Sequence, residues 1–93
     1  VVERGGVRVG VVGATTPGAM VWDRDHLRGR LTVGDAVPAV RAAADSARRA
    51  GADVVVAVLH SGLDEPSSYD TVGTGLASEN VAARVAREVP GLD

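Results

Sequence analysis

Cysteine, phenylalanine and lysine are absent from this chain of 93 residues, and tryptophan and tyrosine occur once each, as Trp22 and Tyr69. Without cysteine there is neither a disulfide framework nor a thiolate metal site, and the redox compartment stays open. Without phenylalanine, a core must be built from Val, Ala and Leu, small side chains that suit close packing of strand on helix. A surplus of one charge is also missing: ten basic residues, all arginine, stand against twelve acidic ones, for a net charge of -2. Gripping a nucleic-acid backbone takes clustered positive charge, so no polymeric nucleic-acid partner is expected. An all-arginine basic set beside abundant Ala, Val and Gly reads as the coding bias of a GC-rich genome.

No apolar run approaches the ~20 residues of a membrane-spanning helix. The first six residues, VVERGG, lack the basic segment, apolar stretch and cleavage site of an export signal. The length suits one small domain, of a size that is only marginally stable alone. With no initiating Met, both ends are expected to be cuts inside a longer protein.

What is present organises as strand, helix, strand, helix. Residues 7–12, VRVGVV, are β-branched and bounded by glycine, which predicts a strand with Val7, Val9 and Val11 on one face. The turn residues 13–18, GATTPG, stop it. Residues 19–30 are charged and without period, so an irregular surface connection is expected, followed by a short extended piece over 31–33. A helix is expected from an Asp35 cap to a Gly51 stop, with Pro38 in its first turn. Its inward stripe is Ala36, Val40, Ala43, Ala44 and Ala47. Residues 53–59, DVVVAVL, form a short continuous apolar run, the pattern of a parallel strand covered on both faces. A long polar loop over 61–76 follows; loops of this length are often functional. The second helix is expected over 78–88, with Val81, Ala82 and Val85 inward, and Leu92-Asp93 reads as the approach to another strand. The fold class expected is α/β with parallel pairing and right-handed crossovers.

In open α/β sheets, ligands gather at the carboxyl ends of the strands. His60 stands where the second strand reaches that rim. By position alone a lone His after a strand is more often a hydrogen-bonded loop residue than a metal ligand. His26, among alternating charges, reads as a solvated surface residue. The stretch VGVVGATTPG is similar to the glycine-rich turn of dinucleotide-binding folds, but Thr16 stands where a third glycine is needed and Pro17 follows instead of an amphipathic helix. Ser61 lacks the Gly-x-Ser-x-Gly context of a nucleophile elbow. Asp64 and Glu65 read as an exposed acidic loop tip, and residues 67–70, SSYD, as polar loop.

Taken in order, GVRVGVVGATTP, Trp22, a helix, GADVVVAVLHSGL and ENVAARVAREVPGLD resemble the metallophosphatase (calcineurin-like phosphoesterase) domain of bacterial 5'-nucleotidases and 2',3'-cyclic-nucleotide 2'-phosphodiesterases. The resemblance runs along nearly the whole chain, and its most specific pieces are residues 54–63 and 79–93.

The resemblance implies part of a sandwich-like α/β domain that hydrolyses nucleotides with two divalent metal ions (Zn, Mn, Co, Ca or Mg). His60 matches the late-strand histidine that is a metal ligand in the family. Asn80 matches a family motif and, with Ser61 and Gly62, is expected near the substrate, its safer role being to cap or brace the long loop. Thr15 and Thr16 match a supporting turn at the rim. Residues 1–93 would then be a partial domain. The family's Asp-x-His, Gly-Asp and Gly-Asn-His-Glu segments would precede it and a Gly-His-x-His would follow. No catalytic residue is expected within the chain, and the isolated chain is expected to be inactive. A nucleotide is the implied small-molecule partner, and a periplasmic, cell-wall or extracellular location follows from the resemblance alone. The alternatives are a Rossmann-like nucleotide-binding module and a non-catalytic α/β scaffold.

Overall fold

Two adjacent glycines with positive φ, Gly5 at +57° and Gly6 at +80°, set the first turn. This conformation is easy for glycine and matches the twist of a tight hairpin. The computed structural model, which describes residues 1–93, places strand β1 (Val2–Arg4) before the turn and β2 (Val7–Ala14) after it. They pair antiparallel, with Val2 opposite Val9. β1 was not expected, although Gly-Gly between residues of strand type is a hairpin signal.

After β2 the chain makes two single helical turns, α1 (Ala19–Trp22) and α2 (Arg24–Leu27), where an irregular connection was expected. Pro17 and the buried Gly18 launch α1: the N–H groups of Val21 and Trp22 both donate to Gly18 O, at 2.9 and 3.0 Å. The short extended piece expected over 31–33 does not form a strand.

α3 (Ala36–Arg49) is the main helix. Asp35 caps it as expected, its Oδ1 accepting from Val37 N at 3.0 Å, and Gly51, at φ +90°, turns the chain away at its end. Ala36, Val37, Val40, Ala44 and Ala47 are buried. β3 (Val54–Leu59) then lies parallel to β2, with Val9 opposite Val54 and Ala14 opposite Leu59. The sheet order is β1-β2-β3. α4 (Thr71–Thr74) is one turn within the long loop, capped by Asp70, and α5 (Ala82–Glu88) closes the chain. α5 is shorter than expected because residues 78–80 are drawn into contacts with the loop.

One core holds the layers together: Val12 of β2, Val55 of β3, the α3 stripe, and Val81, Val85 and Val89 around α5. Helices cover only one face of the sheet. Val11, Val56 and Val58 on the other face are exposed, so within these 93 residues only one face of β3 is covered, where its apolar run suggested both. The run contains alternating environments that its composition hides: Val55 is fully buried while its neighbour Val56 is not.

Candidate functional site at the carboxyl rim of the sheet

Parallel pairing brings the ends of β2 and β3 together, and the pairing continues one step beyond the strands: the N–H of His60 donates to Ala14 O at 3.0 Å. His60 is thereby fixed at the backbone, while its side chain is exposed at the rim. The turn that follows Ala14 lies beside it. Thr16 is buried there and its hydroxyl accepts from Gly18 N at 3.1 Å, so this Thr supports the turn. His26 sits exposed on α2.

The residues directly after His60 are tied to the start of α5. A helix begins with N–H groups that have no partner inside the helix, and no side chain of its own N-cap residue satisfies them here. The loop does so instead. Ser61 Oγ accepts from Val81 N at 2.9 Å. Gly62 O accepts from Ala82 N at 3.2 Å and Leu63 O from Ala83 N at 3.0 Å. Ser61 Oγ also faces Gly62 O at 2.8 Å and Glu79 O at 3.2 Å.

Asn80 completes the arrangement. Its Oδ1 accepts from Gly62 N at 3.0 Å, and its Nδ2 donates to Glu65 O and to Pro66 O, both at 3.1 Å. Ser61, Gly62 and Asn80, singled out together from the sequence, are thus brought together, in contact with backbone and with one another. Glu79 extends the hold: its Oε2 accepts from Ser68 N at 2.7 Å, and its N–H donates to Ser67 Oγ at 2.9 Å. The sequence did not single out Glu79. Its adjacency to Asn80, opposite a loop rich in exposed N–H groups, was the available signal. Of the acidic pair 64–65, Glu65 folds back to accept from Asp64 N at 3.1 Å.

Tyr69 closes the far end of the loop by donating its hydroxyl to Ala77 O at 2.5 Å. Partial burial raises its pKa above the ordinary value of 10.0, and the nearby Glu79 carboxylate adds to this. Hydroxyls of Thr16 and Ser67 act in the opposite sense.

Two hollows mark the surface. One, of about 320 Å³, runs along the free edge of β3 against Ala82, Val85 and Ala86. The other, of about 360 Å³, lies between α1, α2 and the region of Thr74 and Leu76. His60, Ser61, Gly62 and Asn80 line neither.

As a metal donor set the chain is incomplete. His60 offers an exposed imidazole on a rigid strand end, which fits one position in the coordination shell of a divalent ion. No group of three or more His, Cys, Asp or Glu side chains is arranged to hold a metal. A dinucleotide site does not fit either. The turn after β2 leads into the four-residue α1 rather than a helix able to face a pyrophosphate, and Gly10 is packed against α3.

No protein-family model matches the chain. The 2',3'-cyclic-nucleotide 2'-phosphodiesterase/3'-nucleotidase of Salmonella typhimurium is 33% identical over 87 residues, 94% of this chain and 12% of that protein. The protein of the same name from Haemophilus influenzae is 36% identical over 88 residues, again 94% of this chain and 12% of that protein. The crystal structure of calcineurin-like phosphoesterase YfkN from Bacillus subtilis superimposes with a TM-score of 0.77 at 29% identity, covering 94% of this chain and 24% of that one. The chain is homologous to a segment of the calcineurin-like nucleotide phosphoesterases. Its mixed α/β layers are those of the calcineurin-like fold, and it spans about 12% of the length of the two curated relatives named here. No helix of this calcineurin-like segment is long and apolar enough to cross a membrane.

Proposed function

We propose that these residues form part of a metal-dependent phosphoesterase acting on nucleotides, and that His60 is one of its metal ligands. The observation that carries this reading is the position of His60. It emerges at the carboxyl end of β3, which is parallel to β2, is fixed through its N–H to Ala14 O, and is exposed, in a chain homologous to nucleotide phosphoesterases along 94% of its length. The remaining ligands are proposed to come from segments beyond these 93 residues, and so is the group that assists the leaving oxygen.

Two divalent ions held close together would neutralise phosphate oxygens and lower the pKa of a bound water. The residues of this chain contribute the imidazole of His60, which is held through its backbone N–H. The β2–β3 pairing sets where its backbone stands, and the bonds from Ser61–Leu63 to the start of α5 set the course of the chain away from the strand end. A cyclic phosphodiester or a nucleoside monophosphate is the proposed substrate class, after the names of the relatives, and a periplasmic or extracellular location is proposed on the same ground.

The test is His60→Ala in the full-length protein. Metal content per molecule and turnover of a 2',3'-cyclic nucleotide should both fall sharply. Wild-type metal content with wild-type turnover in that variant would refute the assignment.

A further inference from the structure

We propose that Asn80 is a positioning residue for His60. Through its carboxamide it fixes the backbone that leaves the strand end, and so sets the affinity of the site for its metal. This rests on the reading of His60 as a ligand. Asn80 has two N–H donors, and both are engaged, to Glu65 O and Pro66 O, while its Oδ1 holds Gly62 N. A side chain occupied in this way does not recognise substrate through its N–H groups. It closes a ring of backbone contacts over residues 62–66.

Gly62 shows how tightly that ring is drawn. A Cβ placed on it would collide with Asn80 Oδ1 and approach Glu65 Oε2 to 2.5 Å. The backbone is then held at each step away from the strand. His60 N is bonded to Ala14 O, Ser61 Oγ to Val81 N, Gly62 N to Asn80, and Gly62 O and Leu63 O to the first N–H groups of α5. Asn80 immediately precedes Val81, whose side chain is fully buried in the core. The anchor of the loop is therefore a residue that cannot shift without repacking the core. A ligand must be held within a fraction of an ångström to bind well, and groups that orient a ligand typically contribute 10–100-fold in metal affinity.

The experiment measures Mn²⁺ affinity of the metal-stripped full-length protein by titration calorimetry, at a temperature where every variant is folded. Four variants are compared: Asn80→Ala, Asn80→Asp, His60→Ala, and Val40→Ala as a control that weakens the core on α3. Asn80→Ala is expected to weaken Mn²⁺ binding about tenfold, while Val40→Ala lowers the melting temperature at least as much and leaves the affinity unchanged. Asn80→Asp keeps the acceptor for Gly62 N but loses both donors. It is expected to weaken binding as well, and it carries the comparison should Asn80→Ala fail to fold. If His60→Ala weakens Mn²⁺ binding and the Asn80 variants do not, or if Val40→Ala weakens it equally, the positioning role is overturned while the ligand reading stands. If His60→Ala leaves Mn²⁺ binding unchanged, the ligand reading falls and the positioning role with it.

Discussion

Asp93 and Val55 form a closed pair at the free edge of β3: Asp93 N donates to Val55 O at 3.0 Å, and Val55 N donates to Asp93 Oδ2 at 2.9 Å. The same carboxylate oxygen accepts from Arg48 of α3 at 2.5 Å. The edge of β3, α3 and the residues after α5 are thus joined through one side chain. The Val55 N–H is the largest influence on the carboxyl and holds its pKa below the ordinary value of 3.8; partial desolvation opposes this, and Arg48 adds to it. Because the folded-state pKa is the lower one, the stability from this ionisation is present above the unfolded value and is lost as pH falls through the folded one. Urea denaturation of wild type and Asp93→Ala should therefore show a stability difference that is constant near neutrality and shrinks below about pH 3.8. A difference that stays constant down to pH 2 would contradict the pairing.

Gly10 of β2 lies close against Ala47 of α3. A Cβ there would stand 2.8 Å from Ala47 Cβ and 3.1 Å from Ala52 Cβ, both firmly packed. Gly10→Ala should lower stability by about 1–3 kcal/mol through overpacking. Gly13, three residues on, points to the open face, where the nearest atom to an added Cβ is Val58 O at 3.8 Å. Gly13→Ala should leave stability unchanged within about 0.5 kcal/mol. Chemical denaturation midpoints of the two variants check the contrast. It separates a glycine kept for packing from one with room to spare, a difference that the motif VGVVG conceals.

These two glycines show how far the residues could be read without coordinates. Local signals were legible. The Asp35 cap and the Gly51 stop bound α3 as read, because each acts through a hydrogen bond or a φ angle within a few residues of itself. The α/β order and the parallel β2–β3 pair were legible from the alternation of apolar runs with a helical stripe. Non-local contacts were not. Residues 78–80 have the composition of a helix start, yet Asn80 and Glu79 bond to a loop 11–18 residues earlier in the chain, and α5 begins only after them. The brace suggested for Asn80 has its partners in Gly62, Glu65 and Pro66, which no periodicity marks. His60 was legible as a rim residue from its place after β3. Its hold on Ala14 O follows from the strand register, which the residues of either strand alone do not contain.

Coverage of β3 is the expectation that changed most, and it yields a direct test. Val55 is 0% exposed and packs among Val12, Val40 and Val85, whereas Val58 is 60% exposed on the opposite face. Both are valines in one uninterrupted apolar run, so composition and strand propensity are matched, and only burial differs. Val55→Ala should cost about 2 kcal/mol, the transfer term for the lost methyl groups plus the cavity left behind. Val58→Ala should change the stability of the 93-residue chain by no more than about 0.5 kcal/mol. Urea denaturation followed by far-ultraviolet circular dichroism measures both. Equal losses would mean that Val58 is packed in a core and that the sheet is covered on both faces. A large loss for Val55 alone would establish that the helices bury one face and leave Val11, Val56 and Val58 open.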